Sequence, residues 1–262
     1  MMRKFCLWVG LMVLGWSSGA SALPANNPVT SGLIAAYEFS GNADDSSGNG
    51  NDGVVNGATP TADRFGNPNS AYSFDGASDN IALAPVFSTD QDPVTFSAWI
   101  RFSGVGFYAI YGEHVPASST RNAFRIATEP DPSGALVLVT YPPGGGDADV
   151  YASVSTYAGQ WTHVALTKDA DVVSGYLNGS FVGSVSHTET FSGGAPTTAR
   201  IGNDGRSQLG FLGSIDDLYL YDRALSAGEI ATLAAVPEPS TALLLGIGLA
   251  GMSLRRKATK TS

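Results

Sequence analysis

The sequence predicts an all-β, antiparallel sandwich, and three observations carry that prediction. Short runs rich in Val, Ile, Phe, Tyr and Thr recur through the middle of the chain, separated by clusters of Gly, Asn, Asp and Ser. From Val94 to Phe102 the apolar residues Val94, Phe96, Ala98, Ile100 and Phe102 alternate with Thr95, Ser97, Trp99 and Arg101. A period of two with one apolar face is the pattern of a half-buried strand. Finally, Asn178-Gly179 divides the runs Val172 to Leu177 and Ser180 to Val185. That dipeptide readily supplies the two positive φ values of a type I′ turn, so the runs form a hairpin.

Taken in chain order, the first element is not part of the fold. Arg3-Lys4 precedes an apolar run from Phe5 to Trp16, and small residues end in Ala20-Ser21-Ala22. This is the layout of a secretory signal peptide over residues 1–22, to be cut by signal peptidase after Ala22. The single cysteine, Cys6, lies within it, so the mature protein has neither disulfide nor thiol chemistry. A linker over 23–31 follows, and then one domain over 32–235, long enough for a proper core.

Within that domain the strand at 94–102 is followed by Trp161 to Lys168, with Val164 and Leu166 on one face and Trp161, His163 and Ala165 on the other. The hairpin through Asn178-Gly179 comes next. The last strand, Leu212 to Tyr221, leads to Ser226-Ala227-Gly228-Glu229, a capping box that starts a short helix with Ile230 and Leu233 inward.

The end of the chain reads Val236-Pro237-Glu238-Pro239-Ser240, an apolar stretch from Thr241 to Leu254, and Arg255-Arg256-Lys257. A helix of about 14 residues covers roughly 21 Å, short of the roughly 30 Å hydrocarbon core, so it spans only with snorkelling flanks or local thinning. The basic residues after it favour a cytoplasmic tail and place the preceding domain outside. This end resembles the PEP-CTERM sorting signal of Gram-negative bacteria, carried here by Pro237, Glu238 and Pro239, the apolar helix and the arginine cluster. The resemblance implies transient inner-membrane anchoring over 236–262, recognition by an exosortase, and release or attachment at the cell surface or extracellular matrix. Permanent weak anchoring is the alternative.

The two ends hold six of the 14 basic residues and one of the 23 acidic ones, leaving 8 and 22, a net charge of −14. Nucleic acid and anionic lipid are poor partners for such a domain.

Further residues point to a family. They are Leu33 to Phe39 with the following Gly41 to Asn51; Tyr72-Ser73-Phe74-Asp75-Gly76; Ala98-Trp99-Ile100; Trp161 to Ala165; Leu177-Asn178-Gly179; and Gly213-Ser214-Ile215-Asp216-Asp217-Leu218 leading to Arg223-Ala224-Leu225-Ser226. In this order they resemble the laminin-G-like, concanavalin A-like jelly-roll family of bacterial surface proteins. The resemblance implies two curved antiparallel sheets packed face to face. It does not imply one activity, since lectins, adhesive modules, glycosidases and structural domains share this architecture.

Two constellations are candidates for chemistry. The segment Asp44 to Asp52 gathers carboxylate, amide and hydroxyl oxygens in a glycine-broken loop, the kind of donor set that suits calcium. The family resemblance implies Asp45, oxygens near Asn49, and Asp216 as ligands; strand alternation puts Asp216 on the face of Leu218 and Leu220. The same acids also fit ordinary loop and capping roles. Trp99, Trp161 and His163 emerge opposite the core on the expected concave side, where flat rings stack on sugars. These three residues equally suit packing beneath a covering loop.

Catalysis finds little support. Asp216 and Asp217 are expected on opposite faces of a strand, whereas glycoside hydrolysis needs two carboxylates facing one bond. The domain over 32–235 has neither the Glu-x-Asp-x-x-Glu pattern of laminarinase-like glycosidases nor a Gly-x-Ser-x-Gly elbow, the one match in the chain, Gly15 to Gly19, falling in the expected signal peptide. His114, His163 and His187 lack zinc spacing, and Gly144-Gly145-Gly146 lacks the Lys-Ser or Lys-Thr of a phosphate loop. The expected role is therefore that of an exported surface or exopolysaccharide-matrix protein with a lectin-like domain. A dedicated carbohydrate-binding module and a glycosidase with a dispersed site are the alternatives.

Overall fold

The computed structural model of the chain describes residues 27–87, 91–104, 106–114, 121–127, 134–140, 146–188, 198–204 and 209–235. The expected signal peptide, the Pro237-Glu238-Pro239 end, the apolar helix expected after it and Gly144-Gly145 lie outside those residues. Among the described residues no helix is long and apolar enough to cross a membrane.

The strands in chain order are β1 (Leu33–Tyr37), β2 (Val54–Asn56), β3 (Thr59–Thr61), β4 (Ala71–Asp75), β5 (Asn80–Leu83), β6 (Val94–Phe102), β7 (Phe107–His114) and β8 (Arg121–Ala127). They continue with β9 (Ala135–Thr140), β10 (Asp147–Tyr151), β11 (Thr162–Asp169), β12 (Val172–Leu177), β13 (Ser180–Ser186), β14 (Thr198–Ile201) and β15 (Leu212–Tyr221), and helix α1 (Ala227–Ala235) closes the domain. One sheet runs β13-β12-β11-β6-β15-β4-β3, with β1 also paired to β15; the other runs β10-β9-β8-β7-β14-β5-β2. Every named strand pair is antiparallel, so the predicted sandwich is the observed one.

The alternation at 94–102 does what it predicts. Val94, Phe96, Ala98, Ile100 and Phe102 all enter the core between the sheets, joined by Val164, Leu166, Ile215, Leu218 and Leu220 from the same sheet and by Ile110, Phe124 and Ile201 from the other. The opposite face of the first sheet is covered as well, a feature the period of two does not reveal. Helix α1 lays Ile230 and Leu233 beside Ala165, Tyr176, Tyr219 and Tyr221 in a second apolar cluster. Thr95 and Ser97 are buried there too. Each fully buried large side chain contributes roughly 1.5–3 kcal/mol, so this cover is a substantial part of the domain's stability.

Two local predictions are met in detail. Asn178 (φ 47°) and Gly179 (φ 77°) take the two positive φ values that let β12 turn directly into β13. At the start of α1, the Ser226 N–H donates to Glu229 Oε2 (2.9 Å) and the Glu229 N–H donates to Ser226 Oγ (3.4 Å). Arg223 adds a two-pronged contact to the same carboxylate.

Strand β15 corrects one expectation. Its pairing with β6 slips between Asp216 and Tyr219, and Asp217 sits at φ 44°. This bulge inserts a residue into the alternation. Asp216 therefore does not share the face of Leu218 and Leu220, which lie in the core. Nor do Asp216 and Asp217 diverge; both carboxylates reach the same arginine, Arg64.

Arg223 first, then the Ser226 amide, holds the Glu229 carboxyl down at about 2. Its stabilising effect is thus complete above the ordinary glutamate range and fades as pH falls through that range toward 2. Thermal melts should show Ser226→Ala costing about 1 kcal/mol. Glu229→Gln should cost less, because the pair is solvent-screened, and its difference from the native chain should shrink as the pH approaches 2.

Candidate functional site

The Asp44 to Asp52 loop is built around Asp45, but its carboxylate is turned to the protein backbone. Oδ1 accepts the N–H groups of Ala36 (2.9 Å) and Ser47 (2.9 Å), and Oδ2 accepts that of Asn51 (2.9 Å). Asn49 and Asn51 extend their side-chain amides to β1, where Asn49 Nδ2 meets Leu33 O and Ile34 O and Asn51 Nδ2 meets Ile34 O. These bonds tie the loop to β1 and engage the oxygens of Asp45 that a cation would need. Asp216 is bound to Arg64 instead, and no contact links it to Asp45 or Asn49. Among the described residues no group of three or more His, Cys, Asp or Glu is arranged to hold a metal. The arrangement does not fit a calcium ion on Asp45, Asn49 and Asp216.

The proposed aromatic platform also departs from expectation. His163 is 1% exposed, and burial, then Arg64, pushes its imidazole down to about 3, so it is neutral. Its Nε2 lies 2.9 Å from Ser97 Oγ, and its ring meets Trp99 edge-on at 5.6 Å. Trp99 and Trp161 are half-buried, each with an arginine over its face: Arg64 at 4.8 Å from the Trp99 ring centre and Arg101 at 5.2 Å from that of Trp161. A sugar ring would have to displace these cations. His163, beneath the surface, offers it nothing.

The cover comes from the turn between β3 and β4. Asp63 shapes that turn by accepting the N–H groups of Phe65 (2.8 Å) and Asn67 (2.9 Å). Arg64 then points inward, and its Nη1 lies 2.7 Å from Asp216 Oδ2 and 2.7 Å from Asp217 Oδ2. The sequence gives only a weak signal for this, a basic residue in a turn of an acidic domain.

A feature the sequence reading missed lies at the open rim where the two sheets end. Strands β10 and β13 are the outermost strands of their sheets on this side. Between them is a groove of about 460 Å³ lined by Tyr151, Ser153, Tyr157, Asn178, Ser180 and Val182, among others. Tyr157 and Val182 rest against the main core. Tyr151 is 60% exposed. Asn178 Oδ1 accepts the His163 N–H (3.0 Å), which orients its side chain and leaves the NH₂ end as a donor. Tyr151 ends β10 and Tyr157 lies in the 3-10 turn just after it, but alternation gives no way to place them opposite Asn178, Ser180 and Val182 of the other sheet.

Comparison with known proteins agrees with this architecture. Domain 4 of AbnA, an extracellular arabinanase from Geobacillus stearothermophilus solved in complex with arabinotriose, superposes with a TM-score of 0.63 at 22% identity, over 77% of this chain and 98% of that one. The binding domain of botulinum neurotoxin serotype D aligns with a TM-score of 0.60 at 15% identity, and that of neurotoxin DC in complex with rat synaptotagmin II with 0.59 at 17%. In both, 79% of this chain is covered but only about half of the neurotoxin domain, 51% and 52%. No curated protein matches.

If Asp45 holds the loop as described, Asp45→Ala leaves the buried amide of Ala36 and the partly buried amides of Ser47 and Asn51 without an acceptor. Denaturant unfolding should register a loss of about 3 kcal/mol or more, and a change below about 1 kcal/mol would contradict the role assigned to it.

Residues 235–257 match the PEP-CTERM protein-sorting motif, the mark of an exported protein of Gram-negative type. Residues 75–231, well over half of the chain, match the family described as the concanavalin A-like lectin/glucanases superfamily, and the chain belongs to it.

Proposed function

We propose that this is an exosortase-sorted protein of the cell surface or exopolysaccharide matrix whose sandwich domain binds a glycan without chemistry of its own. The observation that carries the reading is the rim groove. An exposed tyrosine costs hydrophobic free energy unless something covers it, and the flat faces of Tyr151 and Tyr157 suit the apolar faces of a sugar ring. Ser153, Asn178 and Ser180 supply the hydroxyl and amide groups that a polyhydroxylated ligand requires. A volume of about 460 Å³ suits a short oligosaccharide segment. The arabinotriose bound to the arabinanase domain is consistent with this class of ligand.

Binding is favoured over hydrolysis by the state of the acids. Although the bulge brings Asp216 and Asp217 together, they are 2% and 3% exposed and share one guanidinium. A carboxylate so covered has no path to a glycosidic bond.

Titration of the purified protein with neutral oligosaccharides, arabinotriose among them, and with exopolysaccharide from the host tests the reading. Tyr151→Ala should weaken binding roughly 3- to 10-fold with little change in melting temperature, and Tyr157→Ala should weaken it likewise while also lowering the melting temperature, because Tyr157 packs on the core. Saturable binding that both folded variants retain in full would remove the groove from the account, and release of reducing ends would replace binding with catalysis. Mass spectrometry of the protein from the host surface should find the chain lacking its Pro237-Glu238-Pro239 end. An intact carboxyl end there would count against exosortase cleavage.

A further inference from the structure

The Arg64 cluster contains more charge than its geometry needs for packing alone. Two adjacent carboxylates, Asp216 and Asp217, are brought to one side of β15 by its bulge and buried. Asp63 adds a third negative charge at the edge of the same site and repels both. Against these stands one cation, Arg64, whose side chain is 7% exposed and comes from a turn 152 residues away in sequence. Its guanidinium carbon is 4.4 Å from the centre of the Phe65 ring and 4.8 Å from that of Trp99, so an aromatic ring is stacked on each contact. The fit is incomplete. Arg64 Nε and Asp217 Oδ1 are buried without a hydrogen-bond partner, as is Trp99 Nε1.

A buried pair of adjacent carboxyls is relieved by a shared proton, by N–H and O–H donors, by a basic side chain or by a metal ion. Burial, then Asp217, pushes the Asp216 carboxyl up, and Arg64 beside it acts in the opposite direction. Here the donor is a side chain. We infer that Arg64 is this domain's built-in counter-cation, filling the position a divalent ion would otherwise take between Asp216 and Asp217, so that the fold is metal-independent and the acid pair becomes a divalent-cation site only when Arg64 is removed. The misfit of the Asp45, Asn49 and Asp216 set to calcium follows directly, since its one acid from the last strand is already engaged. Charge and shape are both supplied from within the chain. A guanidinium held between two rings is a fixed, planar cation with no tendency to dissociate, unlike an ion in exchange with solvent.

Melting of the full chain, with excess EDTA and with millimolar calcium or manganese, tests this. The native protein should melt at the same temperature in all three conditions. Arg64→Ala should melt roughly 10 °C lower in EDTA, the shift expected from leaving buried acids unpaired in a domain of this size. Millimolar calcium or manganese should recover at least half of that loss. Arg64→Lys, which keeps the charge, should be far less destabilised and indifferent to the ions, and Asp216→Asn placed in the Arg64→Ala background should abolish the recovery. A fall in the native melting temperature on chelation would overturn the inference, as would an Arg64→Ala protein that folds but ignores both ions. Should Arg64→Ala fail to fold, adding Asp216→Asn and Asp217→Asn must restore folding by removing the unbalanced charge; failure of that triple variant is equally decisive against it.

Discussion

Strand β15 has to satisfy three neighbours at once, and much of the domain is arranged around that demand. One of its edges pairs with β6, while the other pairs with β4 through Leu212 to Ile215 and with β1 through Leu218 to Tyr221. Between the stretch that pairs with β4 and the stretch that pairs with β1, the register with β6 breaks at the bulge around Asp217. Near its start, Gly213 at φ +144° lets the Arg101 carbonyl approach to where a side chain would stand; a Cβ there would lie 2.1 Å from that oxygen. From the bulge onward, Tyr219 and Tyr221 face α1 while Leu218 and Leu220 face the core. The same break turns both aspartates toward Arg64.

Electrostatics then follows topology. The domain is strongly acidic, yet its buried acids are not left to repel one another. Asp45 accepts from backbone amides, Glu113 Oε1 from the amides of Val86 and Phe87 and the hydroxyl of Tyr111, and the β15 pair meets Arg64. Lys168, buried at the opposite end of β11, is paired with Asp92 and with the Ala170 carbonyl. Each is a local solution drawn from the chain's own groups. Among the described residues most other acids lie at the surface, where an excess of negative charge discourages adhesion to anionic polymers.

Much of the fold could be read from residues close together in sequence. The limits of β6 and β15, the Asn178-Gly179 turn and the Ser226 capping box are each written within ten residues or fewer, and each appears where the pattern puts it. The site was less legible because its determinants are distant or irregular. Alternation gives the right face for Trp99 and His163 but says nothing about what lies over that face, and the cover arrives from Arg64 and Phe65 in another hairpin. Composition correctly marks Asp44 to Asp52 as rich in oxygens, but the direction of the Asp45 carboxylate depends on its contact with Ala36 in β1. A bulge is invisible to any rule that assumes a fixed period, which is why Asp216 was assigned to the wrong face.

The rim groove stands apart from this network. Its walls come from the edge strands β10 and β13, the segment 152–157 that follows β10, and the end of β12 with its turn. Replacing an outward side chain there, such as that of Tyr151, leaves the interior layers and their ladders intact. Selection acting on such a margin can exchange one preference for another at little structural cost, so relatives with the same interior need not recognise the same polymer.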